Sequence, residues 1–261
     1  MSPAQRLGRN HGGYRGERLD IESVLRDDVE CSRRLGWEVD ELPASADLKL
    51  VALRHHVARP RRRLYISTGI HGDEPAGPLA IRELLRANPW PADADLWICP
   101  CLNPTGFAMN RRENAAGVDL NRDYRHLQSP ETRAHAAWLE RQPAFDLTLC
   151  LHEDWEAHGF YLYELNPDHQ PSLAEDMIDA VAAVCPIDLS PEIEGRPAHG
   201  GIIRPDLDPA QRPQWPEAFH LLCHKTRHSY TLEAPSDFAL PVRVAALTAA
   251  VRVALDGRST P

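Results

Sequence analysis

The stretch LYISTGIHGDEPAGPLAIRELL, residues 64–85, decides how this chain is read. Leu64 to Ile70 is apolar and rich in β-branched residues, with Gly69 near its end, the pattern of a buried strand. Pro78 to Leu85 has the apolar spacing of an amphipathic helix, with Pro and Gly just ahead of it. Between the two stand His71, Asp73 and Glu74, on the loop beyond the carboxyl end of a strand. In α/β folds that is where ligands bind.

Reading outward, a helix is expected over about 21–35, then two edge strands or a hairpin in GWEVDEL and LKLVALRHHV. Further strands are expected at 95–102, 145–153, in GFYLYEL and at 228–235, and helices near 130–141, 172–184 and 240–255. Strands alternating with helices indicate an α/β domain with a mostly parallel sheet. Residues 103–124 read as loop-rich, and 186–217 as a long irregular excursion dense in Pro and Gly. An excursion of that length inside a compact domain suits the rim of an active site.

The bulk properties narrow the classes. A chain of 261 residues buries a real core without disulfides. Its six cysteines, at 31, 99, 101, 150, 185 and 223, form no CxxC pair and read as reduced, mostly buried thiols. A net charge of −9 argues against a general nucleic-acid or anionic-membrane binder. The N-terminal residues MSPAQRLGRNHGGYRG contain no apolar signal core, and Arg243 and Arg252 interrupt the most apolar segment. The expectation is a cytoplasmic protein whose first 18 residues form a flexible arm.

His-x-x-Glu alone is a weak signal, because Glu74 also suits the positive end of a helix. His152, in LTLCLHEDW, adds a third donor at the carboxyl end of another expected strand. Two imidazoles and one carboxylate leave a zinc ion an open position for water, as catalytic zinc requires; a structural site wants four ligands. Glu233 ends the strand in SYTLEAPSD. A zinc hydrolase needs such a carboxylate as general base, although a loop-facing glutamate is the commoner fate.

In order along the chain, GIHGDEPAG, NPTGF, RRENAAGVDLNRDY, LHEDWEAHGFYLYE and YTLEAPS resemble the zinc carboxypeptidases of the carboxypeptidase A superfamily, most closely compact bacterial members. The likeness spans about residues 62–255. It implies a single α/β catalytic domain over residues 19–261, with a mixed, mainly parallel eight-stranded sheet and helices on both faces. The implied reaction is hydrolysis of an amide next to a free carboxylate by zinc-activated water. His71, Glu74 and His152 match the ligands of one zinc ion, and Asp119 the carboxylate that orients the first histidine. Asn121 and Arg122 match the pair that grips the substrate carboxylate. Arg112 matches the carbonyl-polarising arginine, with Arg111 next to it as the alternative, and Glu233 matches the base. Asp123 departs from the family's usual asparagine and stands where it could pair with Arg122. The basic cluster HKTRH, residues 224–228, reads as a solvated loop, the alternative being a contact to an acidic substrate group.

Three functions remain open at this level. The first is a metallocarboxypeptidase acting on a small peptide. The second is an N-acyl amino acid deacylase resembling succinylglutamate desuccinylase or aspartoacylase, related enzymes that share the ligands and chemistry. The third is a non-catalytic zinc-containing binding protein, for which Glu233 and Arg112 would have no use.

Overall fold

In the strand β3 (Arg62–Thr68), Leu64 and Ile66 pack into one hydrophobic cluster while Tyr65 between them packs into another. Successive side chains of a strand point to opposite faces, so a segment that is apolar throughout must be covered on both. The computed structural model describes residues 4–9, 17–205 and 208–257 and shows that two-sided cover.

The chain enters through α1 (Ile21–Arg34), capped by the Asp20 carboxylate on the Ser23 N–H at 3.1 Å. The antiparallel pair β1 (Glu38–Pro43) and β2 (Lys49–His55) follows, and then β3. The helix α2 (Ala76–Ala87), the strand β4 (Ala94–Cys99) and the short helix α3 (Pro104–Met109) come next. Beyond them lie α4 (Pro130–Glu140), β5 (Leu147–Asp154), β6 (Tyr161–Leu165) and α5 (Ala174–Ala182). A two-strand hairpin, β7 (Glu192–Ile193) with β8 (Arg196–Pro197), precedes β9 (Ile202–Ile203). The chain closes with α6 (Glu217–His224), β10 (Ser229–Pro235) and α7 (Leu240–Asp256).

Eight strands form one mixed sheet in the order β1-β2-β4-β3-β5-β10-β6-β9. Its centre, β4-β3-β5-β10, is parallel throughout; β2 runs antiparallel to both β1 and β4, and β6 is antiparallel to β10 but parallel to β9. From β3 the chain moves to β4 on one side and later to β5 on the other, which makes the β3/β5 boundary a topological switch point. One face carries α1, α2, α5 and α7 through Ile81, Leu84, Val181, Leu247 and Val251; the other carries α4 and α6 through Trp138, Leu139, Phe219 and Leu221. The exposed edge is charged, with Arg54 paired to Glu38 and Asp40 and Lys49 to Glu41, which discourages edge-to-edge pairing.

The same alternation sorts the site residues. Leu149 and Leu151 face the α2/α7 layer and Cys150 faces the other, so His152 shares the face of Cys150, while Glu153 turns under α2. In β10, Tyr230, Leu232 and Ala234 join the α2/α7 layer, which leaves Thr231 and Glu233 on the face of His152.

Several boundaries differ from the sequence reading. β3 stops at Thr68, because Gly69 adopts a left-handed φ of 63° and leaves the extended region. The loop-rich stretch contains α3, where Asn103 caps the Gly106 N–H at 2.9 Å and Pro104 occupies the first turn. A helix, α6, emerges from the end of the Pro-rich excursion, ahead of the basic cluster. Of the N-terminal arm, residues 1–3 and 10–16 lie outside the described residues. The described part is held on Asp237, whose carboxylate accepts from Arg6 Nε, Gly8 N and Arg9 N at 3.1, 3.1 and 2.8 Å.

Candidate metal centre and substrate cavity

The His71–Glu74 loop leaves β3 at the switch point and is pinned from below. Asn103 Nδ2 donates to the carbonyls of Ile70 and Arg112, both at 3.1 Å, and joins the two loops. The loop also lies flush on α3: a Cβ on Gly72 would sit 2.0 Å from the Gly106 carbonyl carbon, so only glycine fits there.

His71, Glu74 and His152 converge, all buried, with donor atoms within 4.8 Å of one another. Glu74 Oε1 stands 2.5 Å from His71 Nδ1, and its Oε2 stands 3.1 Å from His152 Nδ1. Burial, the largest influence, favours the neutral acid of Glu74, yet the two histidines override it and hold its pKa below the ordinary carboxylate range. Burial also depresses His152, which favours the neutral imidazole a metal requires. His71 Nε2 is buried without a hydrogen bond but lies 3.3 Å from Asp119 Oδ1. That proximity suits a carboxylate that orients the ring. Two nitrogens and an oxygen gathered from two strand ends form a donor set that fits a borderline cation with one position left open.

Around this centre opens a cavity of about 500 Å³. Arg112, Asn121, Arg122 and Glu233 line it with the three metal-type residues. Arg112 Nε donates to Asp119 Oδ2 at 2.9 Å, and its Nη1 lies 3.4 Å from His71 Nδ1. Arg111 instead turns away to donate to the Asn114 carbonyl, so of this adjacent pair Arg112 is the one that lines the cavity. Asp119 supports from behind and also caps the turn Leu120–Arg122 on the Asn121 N–H at 2.9 Å. Asn121 Oδ1 accepts from the Glu217 N–H at 2.9 Å, which leaves its Nδ2 as the donor for the cavity. Glu233 lies beside His152 across the β10/β5 pair and makes no side-chain hydrogen bond among the described residues. Burial first, then the charges of Glu74, Glu194 and Asp154, push its pKa well above the usual range.

Asp123 corrects an expectation. It does not pair with Arg122; its carboxylate accepts from Gln128 N, Ser129 N and Thr132 Oγ1 at 3.0, 2.8 and 2.6 Å, at the entry to α4. Neighbours in sequence need not share a direction, and three nearby donors outcompete one exposed guanidinium. Among the described residues Arg122 is left with one hydrogen bond, to the Asn121 carbonyl at 2.9 Å. Asp123→Ala should therefore cost about 1–3 kcal/mol of stability, as buried donors lose their acceptor. Denaturant unfolding measures this, and an unchanged midpoint would refute it.

The basic cluster 224–228 precedes β10 and so lies at the opposite end of the sheet from Glu233. Arg227 pairs with Asp168, Lys225 donates to the Gln142 carbonyl, and buried His228 meets Glu164 at 3.0 Å. His224 and Arg227 stay exposed, as a solvated loop would have them, while buried His228 and half-buried Lys225 fasten surrounding segments. The Pro-rich excursion, by contrast, supplies Glu194, Arg196, Pro205, Arg212, Pro213, Gln214 and Pro216 to the cavity wall.

Some cavity residues escape a reading of the sequence. Tyr163 donates to Glu194, which sits at the two-residue turn of the β7–β8 hairpin with a φ of 50°. Its signal was the short EIEGRP turn pattern. Arg212, stacked over Phe219 at 5.9 Å, had no local signal at all.

A family model described as the succinylglutamate desuccinylase/aspartoacylase catalytic domain matches residues 60–191. Carboxypeptidase SOL1 of Arabidopsis thaliana is 38% identical over 108 residues, which is 32% of this chain and 21% of that protein. The chain thus matches only about a fifth of that relative's length. A presumed metallopeptidase from Shewanella denitrificans OS217 superposes with a TM-score of 0.76 at 26% identity, over 89% of this chain and 88% of that one. Another from Shewanella amazonensis SB2B gives 0.77 at 25%, over 90% and 91%. A metallo-carboxypeptidase from Pseudomonas aeruginosa shares the fold, with a TM-score of 0.66 at 21% identity, over 91% and 68%.

Proposed function

Because the chain belongs to the succinylglutamate desuccinylase/aspartoacylase catalytic-domain family, we propose that it hydrolyses an amide bond next to a free carboxylate, as a zinc-dependent carboxypeptidase. At the coarser level it is a metallohydrolase of the carboxypeptidase and deacylase type. The observation that carries the finer reading is the pair Asn121 and Arg122. An amide N–H₂ and a guanidinium, neither engaged by a carboxylate among the described residues, line the same cavity as Glu233 and the His–Glu–His group.

In this reading His71, Glu74 and His152 hold one zinc ion, which supplies Lewis-acid polarisation and lowers the pKa of water. Arg122 takes the substrate carboxylate through its planar fork, and Asn121 Nδ2 adds a second donor. That grip sets the scissile carbonyl against Arg112, whose charge favours the oxyanion as it develops. Asp119 keeps Arg112 and His71 aligned. Glu233 accepts the proton from the attacking water and returns it to the leaving amine.

A group that holds the carboxylate equally in ground and transition states acts mainly on KM. Arg122→Ala should raise KM for a free-carboxylate dipeptide by about 10–100-fold, in keeping with a charged hydrogen bond, and have little effect on the C-terminal amide. A wild type that cleaves acid and amide equally well would defeat the carboxylate reading.

The second reading, an N-acyl amino acid deacylase, is favoured by the family match, which spans all three metal-type residues. Assaying N-acyl aspartates and glutamates beside C-terminal dipeptides separates the two. Inertness of the zinc-loaded protein toward both would leave a zinc-containing binding protein.

A further inference from the structure

Beneath the cavity floor lies a buried polar chain that the reaction does not touch. Tyr65 Oη donates to Glu217 Oε1 and Ser67 Oγ to Glu217 Oε2, both at 2.8 Å. Tyr65 Oη also meets His135 Nε2 at 2.8 Å, and His135 Nδ1 meets Tyr124 Oη at 2.6 Å. Glu217 is 1% exposed and His135 is fully buried. Burial pushes His135 down to about 3, so its ring is neutral and has one donor and one acceptor. Burial pushes the Glu217 carboxyl up to about 7, and with it ionised the directions follow: Tyr124 O–H donates to Nδ1, Nε2–H donates to Tyr65, and Tyr65 O–H donates to the carboxylate. No donor in the chain is wasted.

A carboxylate in such a place is costly unless fully bonded, so its retention calls for an explanation. Glu217 opens α6, and its carboxylate ties the first turn of that helix to β3, the strand that leads to His71. Its backbone N–H is the group that holds Asn121 Oδ1. The next two residues, Ala218 and Phe219, line the cavity.

We infer that Glu217, clamped by Tyr65 and Ser67, is a positioning residue that fixes the Asn121 amide with its N–H₂ toward the substrate carboxylate. The inference rests on the carboxylate role proposed above for Asn121 and Arg122. With the clamp intact, the amide has one orientation; without it, the first turn of α6 loosens and Asn121 is free to flip its oxygen toward an anion.

The test is the ratio of kcat/KM for an N-acylated dipeptide to that for its C-terminal amide, measured on the zinc-loaded full chain. Glu217→Met, similar in size but without acceptors, should lower that ratio about tenfold, the worth of roughly one hydrogen bond, and leave kcat for the amide near wild type. Glu217→Gln keeps an acceptor oxygen and should restore most of the ratio. A merely structural role would depress both substrates together. If Glu217→Met does not fold, Tyr65→Phe and Ser67→Ala each delete one donor; a lowered ratio in either supports the clamp. An unchanged ratio in every folded variant overturns this inference alone. A wild type with no preference for the free acid overturns the carboxylate reading and the inference with it.

Discussion

Glu233→Gln is expected to keep the metal and the fold while lowering kcat by ~10²–10⁴-fold, the usual worth of a general base. Glutamine matches glutamate in shape, and Glu233 makes no side-chain hydrogen bond among the described residues, so the substitution breaks no hydrogen bond there. What it removes is the proton acceptor. The surroundings suit that role: burial and the charges of Glu74, Glu194 and Asp154 raise the proton affinity of Glu233. Positive charge held by His71, Glu74 and His152 would draw it back toward the working range. KM should change little, because the proton moves only as the bond is made. Turnover, metal content and circular dichroism, measured together, check the expectation. Near wild-type kcat in a folded, metal-loaded variant would remove Glu233 from the mechanism.

The candidate site was legible where chemistry follows from local pattern. His71 and Glu74 announce themselves at a strand-to-helix junction, and that junction does lie at the switch point of the sheet. His152 and Glu233 were each visible only as strand-end residues. Parallel pairing of β5 with β10 makes them neighbours, a relation that no single segment contains. Long-range pairing also explains what was not legible. Arg243 reads as an interruption of an apolar segment, yet it is fully buried, its charge met by Glu153 from β5 and Glu17 from the N-terminal segment. Glu153 in turn accepts from the Ala76 N–H at 2.6 Å, and so ties the strand of His152 to the start of α2, just after the His71–Glu74 loop. Helix α6 was hidden for another reason. Its eight residues follow a run of prolines, and so short a segment has little helical periodicity to detect.

Removing the metal should abolish activity, and His71→Ala should abolish metal binding. Binding of about one zinc ion per wild-type chain is expected from the single buried group of two imidazoles and a carboxylate found among the described residues. Losing His71 leaves two donors, too few to hold zinc against water, and leaves buried Glu74 facing one histidine instead of two. A readout independent of activity comes from linkage: a ligand that binds only the folded state stabilises it by about 2.7 kcal/mol at 100 times its Kd. Added zinc should therefore raise the Tm of the chelator-treated wild type and leave that of His71→Ala unmoved. Asp119→Ala belongs between the two. Asp119 lies 3.3 Å from His71 Nε2 and is no ligand, so the variant should still bind zinc, about 10–100-fold more weakly, as orienting partners of metal-bound histidines generally do. Full activity after exhaustive chelation would overturn the metal assignment. A Tm response that survives in His71→Ala would instead place the ion elsewhere in the chain.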